Sequence, residues 1–249
     1  MLARPRPPLW LWFNLLSLDA PLIALVWQDF LARCYPTALH PAGRAVLGLT
    51  VWAIYLADRL LDVRHPAPGP EPVRHRFYRR HRVFAQTLLA LILCVDLVVT
   101  ALWLRPSVLD NGLLLTAGVI AYLAVFPLTG WGALTWKKPL AAFLFTAGTF
   151  LIAWTGPGAG HPVSQLAWPA AAFCALCLGN LNQNASLNRW SWLLLLGAGL
   201  AFTQSSNWSG AIAASAAGLT GLSRWGRRIS HEARGVLADA LLLTPLLFR

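Results

Sequence analysis

The sequence predicts an all-α protein, a polytopic membrane bundle that crosses the bilayer about nine times. Hydrophobic residues make up 57% of the 249 residues and charged residues only 12%, about half the charged share of a soluble domain. The apolar residues fall in runs of about 14 to 24 residues, and a helix that crosses a bilayer needs about 20. The basic residues, which give a net charge of +11, lie mostly between these runs. This composition excludes an ordinary soluble fold.

Nine apolar runs give nine predicted membrane spans within a single transmembrane domain, residues 1–249. The predicted spans are 9–32, 44–62, 83–104, 111–128, 139–154, 166–182, 190–203, 209–222 and 235–248. The first run is too long for a cleavable signal peptide and lacks a cleavage site of small residues. In the eighth run, Gly210, Ala214 and Gly218 recur every four residues, which predicts a small-residue face for helix packing.

The basic residues alternate between loops as the positive-inside rule requires. With the N-terminus inside, the inner loops hold Arg4, Arg6, Arg64, Arg74, Arg76, Arg79, Arg80, Arg82, Lys137, Lys138, Arg189, Arg224, Arg227, Arg228 and Arg234. The outer loops keep Arg33, Arg44 and Arg105. We therefore predict a cytoplasmic N-terminus and an outer C-terminus, in a bacterial inner (cytoplasmic) membrane. The positive charge indicates anionic lipid headgroups as partners, and no nucleic acid.

Two aspartates, Asp58 and Asp62, lie at the cytoplasmic end of the second predicted span. The chain has only nine acidic residues, and a charge at bilayer depth costs about 2.5–3.5 kcal/mol. In a helix, positions four apart share one face, so both carboxylates point the same way. Two carboxylates at this spacing can share a Mg²⁺ ion, which in turn can hold a diphosphate. The pair is our candidate metal-binding and catalytic site.

A second polar cluster lies at the cytoplasmic end of the sixth predicted span. It consists of Asn180, Asn182, Asn184 and Asn188. Amide groups at the end of a span are costly unless they are paired. The loop charges place this cluster on the same side of the membrane as Asp58 and Asp62.

Three further polar features leave alternatives open. The basic run 74–82 could be a lid that grips phosphate or an anchor against anionic lipid. Asp19, which precedes Ala20 and Pro21, could line a polar cavity and could mark a break in the first helix. Asp96, midway through the third span, could line a cavity, but an interhelical hydrogen bond or a paired or protonated carboxylate is the favoured interpretation.

Together these features resemble the UbiA superfamily of intramembrane prenyltransferases. Its members have nine helices and two cytoplasmic Asp-rich motifs, N-x-x-x-D-x-x-x-D and D-x-x-x-D. Asp58 and Asp62 match the two aspartates of the first motif, with Ile54 where asparagine is usual. The run Asn180-x₃-Asn184-x₃-Asn188 keeps the spacing of the second motif but has amides in place of aspartates. A further segment is similar to the family's Tyr/Lys segment: Tyr122, Pro127-Leu128 and Lys137-Lys138.

The resemblance implies Mg²⁺-dependent transfer of an isoprenoid chain from a polyprenyl diphosphate to an aromatic or lipid acceptor. It implies that Asp58 and Asp62 hold the metal. The residues it implies for substrate binding are Asn180, Asn184, Asn188, Tyr122, Lys137, Lys138 and Arg59. Because neutral amides hold a hard dication less tightly than carboxylates do, a catalytically inactive lipid-binding relative stays an alternative. A small transporter is the other, although such proteins usually show an internal repeat, and none is visible.

Overall fold

The computed structural model describes residues 8–35, 37–64, 72–129, 134–155, 163–182 and 207–248. This part of the chain is helical and contains no β-strand, which confirms the predicted all-α class for it. Its α-helices are α1 (Leu9–Leu15), α2 (Asp19–Cys34), α3 (Pro41–Asp62), α4 (Val73–Arg80), α5 (Arg82–Trp103), α6 (Pro106–Thr129), α7 (Leu134–Thr155), α8 (Val163–Leu181), α9 (Asn207–Trp225) and α10 (His231–Leu241). Two short 3₁₀ helices cover Gly226–Arg228 and Thr244–Leu247.

Three helices in the described ranges are long and apolar enough to cross a membrane. They contain the segments Arg82–Trp103, Pro106–Val125 and Trp136–Thr155. The bent pair of α1 and α2 would make a fourth if it is one broken span. A membrane protein is therefore supported in outline, whereas the number nine stays a prediction. The predicted span 190–203 lies outside the described residues.

The first predicted span, 9–32, is not one straight helix. α1 and α2 meet at an angle of 79°, and Ser17 at their junction has a left-handed backbone with φ 55. The Ser17 hydroxyl hydrogen-bonds the Tyr78 hydroxyl of α4 at 2.9 Å, and both side chains are almost fully buried. α2 then begins at Asp19, so the proposed helix break beside Asp19 is confirmed.

The prediction of one continuous span over 235–248 is wrong. α10 ends at Leu241, and the 3₁₀ helix Thr244–Leu247 follows. Pro245 has no backbone N–H to donate and does not fit the interior of an α-helix, which accounts for the change. The eleven residues of α10 extend only about 16 Å, too little to cross a bilayer.

The small-residue face of α9 packs against this C-terminal segment. A Cβ atom added at Gly218 would lie 2.5 Å from a methyl carbon of Leu241, and one at Gly210 would lie 2.7 Å from the ring of Phe248. The two segments can approach this closely only because no side chain stands between them. The predicted packing role of these glycines is confirmed.

A long cavity of about 930 Å³, which we call the central groove, lies mainly between α3, α5, α6 and α7, and residues of α1, α2, α4, α8 and α10 also line it. Along α3 the groove reaches from Asp62 and Asp58 past Thr50 to Gly43. The first two residues lie at its head end, where α3 ends and α7 begins. Since α3 rises about 1.5 Å per residue, the groove from Asp58 to Gly43 is about 22 Å long.

Candidate functional site

Asp58 and Asp62 share the ammonium group of Lys137 at the head of the groove. Lys137 Nζ of α7 lies 3.0 Å from Asp58 Oδ1 and 2.8 Å from Asp62 Oδ1. All three side chains are largely buried, with exposed fractions of 21%, 27% and 23% for Asp58, Asp62 and Lys137. The same-face placement predicted for the two aspartates is therefore what the structure has. Lys137, expected only to bind substrate, bridges them.

Two more of the predicted residues complete this head site. Arg59 NH1 lies 4.0 Å from Asp58 Oδ2 and 3.9 Å from Asp62 Oδ2, and its guanidinium carbon is 6.0 Å from the centre of the Tyr55 ring. The Tyr122 hydroxyl donates to Asp58 Oδ1 at 3.4 Å. Residues from α3, α6 and α7 thus converge on one pair of carboxylates.

A second group of carboxyls, which the sequence did not bring together, lines the same groove. The Asn14 side-chain amide donates to Asp19 Oδ2 at 2.9 Å and to Asp239 Oδ2 at 3.4 Å. Asn180 donates to Asp239 Oδ1 at 2.8 Å. None of the ion pairs between described residues includes Asp19 or Asp239. We call these four residues the amide-bridged cluster.

The described asparagines of the sixth predicted span contact two different groups. Asn180 belongs to the amide-bridged cluster, while Asn182 accepts a hydrogen bond from Lys138 Nζ at 3.1 Å. Asn180 and Lys138 both line the central groove, as do Asp58 and Asp62, so the two predicted polar regions do share one cavity. Asn184 and Asn188 lie outside the described residues.

The basic run contributes one side chain that is suited to an anion. Arg74 of α4 lines the groove, and its Nε atom is buried without a hydrogen-bond partner. The neighbouring Arg59 guanidinium, together with burial, lowers the pKa of Arg74 to about 10. The positive charges of Arg59 and Arg74 repel one another. An anion bound beside both guanidinium groups would therefore stabilise both.

The body of the groove is mainly apolar, and Thr50, Asp96, Gln28, Thr100 and Thr116 are its polar residues. Its walls are mainly leucine, valine, isoleucine and glycine. Midway, Thr50 donates to Asp96 Oδ2 at 2.7 Å, while Asp96 Oδ1 is buried and has no partner. Further along, Gln28 is only 3% exposed, and neither atom of its amide has a partner. The interhelical hydrogen bond favoured for Asp96 is confirmed.

Asp58 and Asp62 at the head site are the residues that would hold the predicted Mg²⁺. Within the described ranges, no three His, Cys, Asp or Glu side chains form a group that could hold a metal ion. Mg²⁺, however, is commonly held by one or two carboxylates together with waters and substrate phosphates. Asp58 Oδ1 and Asp62 Oδ1 already converge on one cationic atom, Lys137 Nζ. Their donor chemistry and placement fit a dication that also binds a diphosphate.

Comparison with known proteins adds no relative. No family model, curated protein or solved structure matches the chain. What the groove can bind follows from its own residues: a head end rich in charge, a hydrocarbon-like body and a cationic α4 beside the head.

Proposed function

We propose that the protein is an intramembrane prenyltransferase with nine spans and a UbiA-like arrangement. It transfers an isoprenoid chain from a polyprenyl diphosphate to an aromatic or lipid acceptor. The observation that carries this proposal is the position of Lys137 between Asp58 and Asp62, at the charged end of a long apolar groove. A substrate with an anionic head and a hydrocarbon tail is complementary to both parts.

Asp58 and Asp62 would hold Mg²⁺, which when bound here supplies positive charge to the departing diphosphate. Lys137, Arg59 and Arg74 donate charge-assisted hydrogen bonds to the diphosphate oxygens. The repulsion between Arg59 and Arg74 is relieved by the bound anion, so part of the cost of assembling this site is recovered on substrate binding.

In the transfer step, the allylic carbon–oxygen bond of the donor breaks and the diphosphate leaves with the electron pair. The allylic carbon then forms a bond to the acceptor, which gives up a proton. The apolar walls keep water away from the cationic carbon, which would otherwise be hydrolysed. Tyr55 and Phe145, whose rings lie 6.4 Å apart along the groove, offer aromatic faces to a cation.

The head end of the groove faces the cytoplasm in this proposal, with the N-terminus inside and the C-terminus outside. The loop charges support this orientation, because the end of α3 and the start of α7 adjoin the most basic loops. α4, with Arg74, Arg76, Arg79 and Arg80, would lie at the level of anionic headgroups. The membrane would be a bacterial inner membrane.

A lipid-binding protein without catalysis is the second candidate, and one observation favours it. Lys137 and Arg59 together already balance the charges of both carboxylates without a metal, so the head site is satisfied as a structural ion-pair network. Such a protein would bind a lipid diphosphate in the groove and leave it intact. Among the described residues, no contact favours the third candidate, a small transporter.

The deciding experiment is release of diphosphate by purified protein. The protein in lipid nanodiscs is incubated with Mg²⁺, labelled polyprenyl diphosphates and a mixture of phenolic acceptors. We expect Mg²⁺-dependent release, and a loss of at least about 100-fold in Asp58→Asn and in Asp62→Asn, equivalent to about 2.7 kcal/mol. Asp110→Asn, an exposed carboxylate of α6, is the control and should keep the wild-type rate.

Two outcomes would count against this function. Equal release by the wild type and both head-site variants would remove Asp58 and Asp62 from the reaction. Tight binding of the labelled diphosphate with no release under any condition would favour the lipid-binding candidate.

A further inference from the structure

Only one of the two carboxyl oxygens of Asp96 has a hydrogen-bond partner in the fold. Its Oδ2 atom accepts the hydrogen bond of Thr50 at 2.7 Å, which joins α5 to α3. Its Oδ1 atom is buried, has no partner, and belongs to a side chain that lines the central groove. A buried polar atom without a partner costs about 1–3 kcal/mol. A structural bond between two helices does not require the second oxygen.

The position of Asp96 is suited to a second ligand beside the diphosphate. Thr50 lies eight residues before Asp58 on α3, a distance of about 12 Å along the helix. The walls around this point are mainly apolar, with Thr100 one helical turn from Asp96, and none of the ion pairs between described residues includes Asp96. An anionic group would therefore meet an acid without a compensating cation here.

The groove is accessible from the side at the depth of Asp96. α5 and α6 follow one another closely in the chain but barely touch among the described residues. Leu93, Leu113 and Ile120 line the groove beside this gap, and each is at least half exposed. A molecule dissolved in the bilayer would approach Asp96 between these helices without passing the charged head.

We infer that Asp96 anchors a second binding site in the central groove, which takes the hydroxyl group of a membrane-dissolved phenol or alcohol. A hydroxyl both donates and accepts hydrogen bonds, so it pairs with Asp96 Oδ1 whether the acid is ionised or protonated. The apolar walls take the rest of the molecule. Thr50 positions the carboxyl by fixing its other oxygen. The identification of this ligand as the prenyl acceptor rests on the proposed function. The binding of a hydroxyl group at this site is independent of it.

The test compares three probes of equal tail length: a long-chain para-alkylphenol, its methyl ether and the matching alkylbenzene. Binding is measured without any diphosphate, as the rise in unfolding temperature of the protein in nanodiscs of fixed probe content. We expect the phenol to bind about three- to tenfold more tightly than the alkylbenzene, the gain from one hydrogen bond. The methyl ether cannot donate to an ionised Asp96 and can only accept from a protonated one, so its affinity relative to the phenol reports the protonation state of Asp96.

The variant Asp96→Leu removes both oxygens and places an apolar side chain of similar size in an apolar helix. It should bind the phenol and the alkylbenzene equally. Asp110→Leu, which removes an exposed carboxylate of α6, should keep the wild-type preference. If Asp96 served only to join α5 to α3, its loss would change the unfolding temperature but leave the preference between probes unchanged.

The outcomes separate this inference from the proposed function. Absence of a phenol preference in the wild type, or its persistence in Asp96→Leu, overturns the hydroxyl site. A phenol preference that Asp96→Leu abolishes, in a protein that releases no diphosphate, supports the site and counts against prenyl transfer. Recovery of a prenylated alkylphenol from a complete reaction would support both.

Discussion

The Asn180 side chain donates a hydrogen bond of 2.8 Å to the carboxylate of Asp239. This bond joins the end of α8 to α10 at the head of the central groove. The acid stands on α10, and an asparagine at position 180 suits it, because an amide can donate to a carboxylate whereas an ionised carboxylate cannot.

A first prediction follows for Asn180→Asp. The new carboxylate would face Asp239 and remove its donor, so we expect the free energy of unfolding to fall by about 1–3 kcal/mol. Since carboxylates are hard ligands, Mg²⁺ should restore part of this loss. The measurement is thermal unfolding in nanodiscs, with EDTA and with Mg²⁺. Asn111→Asp, at an exposed position that bonds only to its own helix, should show neither effect.

Lys137→Met tests the ion pair at the head site. It leaves Asp58 and Asp62 with only the more distant Arg59 guanidinium, 4.0 and 3.9 Å away, and breaking such a largely buried pair costs up to about 3 kcal/mol. We expect a lower unfolding temperature in EDTA and recovery in Mg²⁺. Lys138→Met is the matched control: its partner is the neutral Asn182, so its loss should be about 0.5–1.5 kcal/mol and independent of Mg²⁺. Equal Mg²⁺ responses in the two variants would contradict a cation site at the aspartates.

Arg74→Gln should raise stability and weaken anion binding. The neighbouring Arg59 lowers the pKa of Arg74, which means that the folded protein disfavours the charged guanidinium. Removing that charge should raise the unfolding temperature of the ligand-free protein. The same change should also lower the apparent affinity for inorganic diphosphate about tenfold, as expected for the loss of one charge-assisted hydrogen bond. The affinity is read from the rise in unfolding temperature that diphosphate causes.

The control for this prediction is Arg76→Gln, because Arg76 is an exposed residue of the same helix. It should change neither the unfolding temperature nor the response to diphosphate. An Arg74→Gln protein that is less stable than the wild type, with unchanged diphosphate binding, would show that Arg74 is a structural residue of α4.

Two glycine substitutions should have opposite signs. Gly218→Ala would put a methyl group 2.5 Å from a Leu241 methyl carbon, so it should force α9 and α10 apart and lower stability by about 1–3 kcal/mol. Gly235→Ala meets no atom within 4 Å and should raise stability by about 0.5–1 kcal/mol, the gain of alanine over glycine within a helix. Denaturant or thermal unfolding of both variants checks the contrast.

Little in the sequence indicates that Asn14 joins Asp19 to Asp239. The sequence predicts for Asp19 only a break in the first helix or a place in the wall of a cavity. Asp239 lay within the predicted last span without any motif. Their meeting depends on the bend after α1 and on the end of α10, and neither can be read from a local pattern of apolar residues. Two isolated acids in predicted spans were the one available hint.

By itself, the sequence determined the properties that depend on neighbours along the chain. These are the helical class, the apolar segments, the common face of Asp58 and Asp62, and the packing face of Gly218, because composition and helical spacing fix them. Only the tertiary structure decided which distant groups meet: Lys137 with the two aspartates, Asn180 with Asp239, and Thr50 with Asp96. Such contacts follow from how whole helices pack and bend, and in an apolar bundle each buried polar group must find a partner wherever that packing brings one.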